Sequence, residues 1–214
     1  MRKGKVHENP ARMICREMVP LGRVRFLSKE EENQLRAAVV VHTTSASPWD
    51  WEEPLLELDV ALHSGMRLGE QFSLTWDQVD IANRNLHLDI TKNGSSRYVR
   101  LNTAAIAALA QLKRRHDRLR YPADSPVFSI KNPSKWFSAA VERAGIEGVT
   151  WHTLRHTFAS RLVMAGVNLK TVKDLLGHKT IRMTARYAHL AAHHLKAAVE
   201  LIVPSWWKKV RHGK

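Results

Sequence analysis

The sequence predicts an α+β fold, mostly helical, with one small three-stranded antiparallel sheet. Two observations carry that expectation. Apolar residues recur at helical intervals over most of the chain, and between Leu74 and Leu101 the recurrence changes to every second residue. With 44% hydrophobic and 25% charged residues over 214 positions, the composition is that of a globular chain. A chain of this size buries roughly 70% of its unfolded surface, so neither metal nor disulfide staples are needed for stability. The lone Cys15 excludes an intramolecular disulfide framework and a Cys-rich zinc module, and a reducing, intracellular setting is the simplest fit.

Residues 1–27 are rich in Arg and Lys, broken by Pro10, Pro20 and Gly22, and read as a basic linker or arm. Ser28 and Glu31 have capping-box spacing, so a helix is expected from about Lys29 to the low forties, broken by Ser45 to Pro48. Leu55, Leu56, Leu58, Val60, Ala61 and Leu62 mark a more buried helix that ends at Gly65, and a short helix follows Met66. Val79 and Ile81, then Leu86, Leu88 and Ile90, then Tyr98, Val99 and Leu101 predict three strands, with turns at Asn83 and Asn93-Gly94. Helices resume with Ile106, Leu109 and Leu112, and again with Trp136, Phe137, Ala140 and Val141. Further helices are expected over Thr153 to Ala165, Leu169 to Leu176, Ile181 to Tyr187 and Leu195 to Ile202. Residues 28–203 form the main domain, and 204–214, with Trp206 and Trp207, a basic tail.

The charge narrows the partners. Thirty-four Lys and Arg against 20 Asp and Glu leave +14, a positive field that concentrates polyanions, of which nucleic acid is the commonest. No apolar run approaches the ~18 residues of a membrane span, and the N-terminus has no signal-peptide core. A cytoplasmic protein, nucleoid-associated when bound to DNA, is expected.

The densest polar chemistry is Trp151-His152-Thr153-Leu154-Arg155-His156-Thr157. On a helix His152 and Arg155 share a face, with His156 one turn from His152. Two histidines at i and i+4 invite zinc, but the base and the further ligand such a site needs are missing, and Arg155 would repel a cation. An Arg between two His suits an anion, because guanidinium offers a fork of donors matched to phosphate. Arg67 begins a short helix after a glycine, where backbone amides also favour an anion, and Glu70 can orient it. Lys92 lies at a hairpin tip, His178 follows a helix-ending Gly177, and Tyr187 lies among Arg182, Arg186 and His189. Singly, each has a bland reading: a solvated Arg, a Lys that keeps an edge soluble, a core Tyr with a wet hydroxyl. Together they are what phosphoryl transfer to a side-chain hydroxyl needs, without an acidic cluster to hold Mg²⁺.

The ordered series of Arg67 in SGMRLGE, Lys92 in TKNGSSRYV, His152 and Arg155 in HTLRH, His178 in LLGH and Tyr187 in TARYAHL resembles the catalytic domain of the tyrosine recombinase (phage-type integrase) family. The resemblance covers about residues 23–202. Ser64 stands where many members have Thr. NPARMICREMVPLGRVRFLSKEE resembles the interdomain linker, and the helical core-binding domain that usually precedes it is expected to be missing. The resemblance implies a site-specific DNA recombinase or integrase that cuts and rejoins strands through a 3′-phosphotyrosyl intermediate, without metal, ATP or other cofactor. Tyr187 would be the nucleophile, Arg67 and Arg155 the phosphate clamps, Lys92 the general acid, His152 the base near the tyrosine, and His178 a donor to the phosphate. Glu70 would support Arg67.

His156, beside Thr157 and Phe158, is expected to pack, and Trp151 and Trp76 to lie in the core. The stripe of Leu195, Ala198, Val199 and Ile202 is amphipathic. In the family such a tail helix packs on a neighbouring protomer; packing on its own domain is the alternative. The implied partners are double-stranded DNA, further copies of the chain in a DNA-bound homo-tetramer that is monomeric when free, and accessory DNA-bending proteins. Rival readings are type IB topoisomerase-like relaxation, a catalytically silent DNA-binding module and, from composition alone, an RNA-binding protein.

Overall fold

The computed structural model describes residues 24–41, 52–89, 96–191 and 198–204. The break expected over Ser45 to Pro48, the Asn93-Gly94 turn with Lys92, and most of both termini lie outside the described residues.

Eight α-helices and three strands are described: α1 Lys29–Val41, α2 Glu52–Ser64, α3 Leu68–Phe72, β1 Val79–Asp80, β2 Asn85–Leu88, β3 Arg97–Arg100, α4 Thr103–Arg118, α5 Ser134–Arg143, α6 Trp151–Met164, α7 Leu169–Leu176 and α8 Arg182–Ala185. Local chemistry sets their starts. The Ser28 amide donates to Glu31 Oε2 at 2.9 Å and the Glu31 amide to Ser28 Oγ at 3.1 Å, the reciprocal box expected for α1. Asn102 and Asn168 cap α4 and α7 by accepting from the amides of Ala105 and Thr171.

The strands pair antiparallel in the order β1-β2-β3, with Leu86 opposite both Val79 and Val99. Leu86, Leu88 and Val99 face inward, while Tyr98 is exposed and stacks on His87 at 4.8 Å. β1 is shorter than expected, because Ile81 already lies in the turn that Arg84 completes at φ 56°.

α2 is the central helix. It packs on α4 and α6 through Leu58, Val60, Ala61 and Leu62, all buried, and α1 packs on α5. Rings of Phe72, Phe137 and Trp136 close around Trp151 at 5.0 to 5.8 Å, so Trp151 is a core residue, as is Trp76. Packing begins before Ser28. Leu27 is buried and its amide donates to Thr157 Oγ1 on α6, so the end of the basic arm belongs to the domain.

A second, smaller cluster gathers Ala159, Val163, Val172, Leu176 and Tyr187 between α6, α7 and the segment after α8. Here the helix expected over Ile181 to Tyr187 stops early. α8 ends at Ala185, and a turn buries the Tyr187 ring before a 3-10 turn over Ala188–Ala191. Of the tail helix expected from Leu195 to Ile202, residues 198–200 are helical, and Val199, Leu201 and Ile202 are 63%, 84% and 80% exposed.

Candidate active site

α6 begins at a Thr150 cap, where the Thr150 amide donates to Thr153 Oγ1 at 3.0 Å. This start directs Arg155 into the protein, where it is 3% exposed. Its Nη1 donates to the Gly65 carbonyl at 2.6 Å and its Nη2 to the Leu176 carbonyl at 2.7 Å. A buried guanidinium held by two carbonyls is fixed in place, and the nearby Glu70 carboxylate favours its charge. Burial, and the neighbouring charge of Arg67, push its pKa down to about 10, so it remains a cation at neutral pH.

Arg67 precedes α3. Its amide donates to Glu70 Oε2 at 2.9 Å and its Nη1 to Glu70 Oε1 at 2.7 Å. The amide expected to face an anion at this helix start is therefore taken by Glu70, and Arg67 is available to a ligand through its side chain. Burial alone would raise the Glu70 pKa. The Arg67 amide and the charges of Arg97 and Arg67 outweigh it and hold the carboxylate below its ordinary range.

Tyr187 is 1% exposed, and its Oη lies 2.6 Å from His156 Nδ1. With Oη donating, Nδ1 is the acceptor and the neutral ring carries its proton on Nε2. Burial, then the charges of His152, Arg186 and Arg155, push the His156 pKa down to about 4. Burial raises the Tyr187 pKa, opposed by Arg155 and Arg186. His152, partly open to solvent, meets His156 edge-on at 4.5 Å, its pKa lowered by partial desolvation of the ring and then by the charge of Arg155. His178 Nδ1 is 2.9 Å from Thr184 Oγ1, and burial plus Arg155 bring its pKa down to about 4.

Arg67, His152, Arg155, His178 and Tyr187 line one cavity. His156, Arg182, Met183 and Arg186 complete the wall. Five of the six residues that the resemblance implies therefore converge, Glu70 stands behind Arg67, and Lys92 lies outside the described residues. The ring within reach of the tyrosine is His156, not His152. Position 156 is one helical turn further along α6, on the side covered by the segment after α8, and it bonds rather than merely packs.

The sequence reading missed Arg97 and named Arg186 only as a neighbour of Tyr187. Arg186 lines the cavity, and its Nε is buried without a hydrogen-bond partner. Arg97 donates to Glu70 Oε2 at 2.9 Å and to the Leu175 carbonyl at 3.2 Å. The signal for Arg97 was its place in β3: it alternates with exposed Tyr98 and shares a face with buried Val99, where a charge requires partners.

Among the described residues no group of three or more His, Cys, Asp or Glu is placed to hold a metal ion, and no helix is long and apolar enough to cross a membrane.

A buried arginine, a second arginine held by a carboxylate and a buried tyrosine bonded to a neutral histidine, on a helical domain with a three-stranded sheet, define a site for chemistry on an anion. Comparison with known proteins agrees. Residues 25–194 match the model described as the phage integrase family, and the chain belongs to that family. The integrase of Salmonella phage P22 is 32% identical over 160 residues, which is 67% of this chain and 41% of that protein. A shufflon-specific DNA recombinase of Escherichia coli is 30% identical over 202 residues, 92% of this chain and 48% of that protein. The chain thus spans less than half the length of these two relatives. Among solved structures, the catalytic domain of bacteriophage HP1 integrase superposes with a TM-score of 0.63 at 30% identity, covering 84% of this chain and 95% of that one.

Proposed function

We propose that this chain carries the catalytic domain of a site-specific DNA recombinase that breaks and rejoins strands through Tyr187. The observation that carries it is the Tyr187 hydroxyl, 2.6 Å from a neutral histidine nitrogen, in the cavity lined by Arg67 and Arg155. The relatives named integrase and DNA recombinase support the same reaction class.

Tyr187 Oη attacks the scissile phosphorus while its proton passes to His156 Nδ1. The phosphorus–oxygen bond to the 5′ oxygen breaks, and Lys92 protonates the departing oxygen. The products are a 3′-phosphotyrosyl ester and a free 5′ hydroxyl. Attack by another 5′ hydroxyl reverses these steps and releases Tyr187, so rejoining needs no metal or nucleotide cofactor. Arg67 and Arg155 hold the non-bridging oxygens as charge accumulates, and His178 adds a donor.

Burial raises the tyrosine pKa and brings the imidazole down to about 4, so the protein's own groups oppose this proton transfer. An entering phosphate offsets the charges of Arg155 and Arg186, which are among those that depress His156, and so strengthens the base once substrate is present.

Double-stranded DNA is the proposed substrate, met in the cytoplasm, with the +14 charge drawing it in. The exposed Val199, Leu201 and Ile202 favour assembly with neighbouring copies on DNA over relaxation by a lone monomer, and the homo-tetramer and accessory bending proteins are carried over from the family resemblance. The test is covalent capture. The protein is incubated at low salt with nicked random duplexes, denatured, and the attached DNA sequenced beside a Tyr187→Phe control. Attachment only with Tyr187 is expected; attachment undiminished in the variant would overturn the assignment.

A further inference from the structure

Three arginines end on three consecutive carbonyls at the C-terminal end of α7. Arg97 Nη1 donates to Leu175 O at 3.2 Å, Arg155 Nη2 to Leu176 O at 2.7 Å, and Arg67 Nη2 reaches Gly177 O at 3.5 Å. The last carbonyls of a helix have no partner within it and carry the negative end of its dipole, so this turn is a natural seat for cations. Two of the three arginines line the cavity. Arg97 does not; it stands behind them, its Nη2 on the Glu70 carboxylate whose other oxygen holds Arg67.

Arg97 is costly to place there. Its side chain is 13% exposed and its Nε is buried without a hydrogen-bond partner. A guanidinium taken out of water with an unpaired N–H opposes folding, and a neutral side chain would fill the same space. The charge therefore has its use in what it does to its neighbours. With Arg97 present, Glu70 is pinned from both sides and the α7 turn is tied to the sheet. Without it, Glu70 answers to Arg67 alone, free to draw that guanidinium away from the cavity.

We propose that Arg97 is a positioning residue of this site: through the shared Glu70 carboxylate it fixes the direction in which Arg67 presents donors to a phosphate. The effect on catalysis rests on the strand-cleavage function proposed above, whereas the effect on arginine geometry does not.

The test uses the full chain as wild type, Arg97→Lys and Arg97→Met. Nitrogen-15 NMR of arginine side chains reads the geometry without any activity. The Arg67 guanidinium signals are expected to move towards those of a freely exchanging arginine in both variants, while Arg155, held also by Gly65, keeps its protected signals. On a nicked duplex, both variants are expected to bind DNA within about threefold of wild type yet form the covalent adduct at least about tenfold more slowly. Lys recovers only part of the rate, because one ammonium cannot serve Glu70 and Leu175 together. Arg67 signals unchanged in Arg97→Met, or a cleavage rate equal to wild type, would overturn the proposal. Failure of the wild type itself to form adduct would instead remove the cleavage function, and the arginine signals would still decide the role of Arg97.

Discussion

His156 bears most directly on the chemistry, because its Nδ1 is the atom within hydrogen-bond distance of Tyr187 Oη. His152, the base that the family resemblance implied, lines the same cavity and meets the ring of the tyrosine's partner, His156. The two assignments separate by substitution. His156→Gln keeps an acceptor for the hydroxyl but removes the basic nitrogen, so adduct formation is expected to fall by about 100-fold or more with DNA affinity little changed. His152→Gln is expected to cost less. Pre-steady-state cleavage on a nicked duplex measures both, and a larger loss at His152 with His156→Gln near wild type would return the base to position 152.

At the scale of the element, the C-terminal turn of α7 shows how backbone geometry serves the site. Gly177 closes the helix at φ +64°, and a Cβ there would meet Arg97 Cδ at 2.7 Å and Nε at 2.8 Å. Gly145 has the same φ and nothing within 4 Å of its Cβ position. The pair separates two effects. Gly145→Ala is expected to lose about 1 kcal/mol for the left-handed backbone alone. Gly177→Ala is expected to lose more, and to slow cleavage as well, because Arg97 must move. Denaturant melts of both variants check this; equal losses would show that Arg97 gives way freely. The start of α1 was legible in the sequence because Ser28 and its partner Glu31 lie three residues apart. The end of α8 was not, since nothing local at Arg186 announces that the chain must turn to bury Tyr187 between α6 and α7.

Across the whole molecule, the order of Arg67, His152, Arg155, His178 and Tyr187 was readable because each sits in a short motif, and folding brings all five to one cavity. Arg97 and the tyrosine contact of His156 were not, because they exist only through contacts between residues far apart in the chain. Stability should show the same buried groups. Burial of the Glu57 carboxyl under Trp136, beside Glu53, raises its pKa to about 8. A folded value above the unfolded one means the carboxyl is held neutral, so its contribution is full at acid pH and is lost as pH rises from about 4.5 through 8. His156 and His178 act in the opposite direction: held neutral with pKa values near 4, they oppose folding increasingly as pH falls below about 6.5. Glu57→Gln is therefore expected to melt higher than wild type at pH 8 and to lose that advantage at pH 5. Thermal melts at the two values decide it, and an identical shift at both would show that Glu57 is charged throughout.

If Tyr187 is the covalent link between this protein and DNA, the bond itself can be located. DNA captured covalently from a nicked duplex would be digested with nuclease and trypsin and the nucleotide-bearing peptide sequenced by mass spectrometry. The expected product is the peptide that begins at Tyr187, directly after Arg186, with a 3′-linked nucleotide on its first residue. A nucleotide on Tyr98, Tyr121 or any serine, with Tyr187 unmodified, would show that Tyr187 is not the nucleophile.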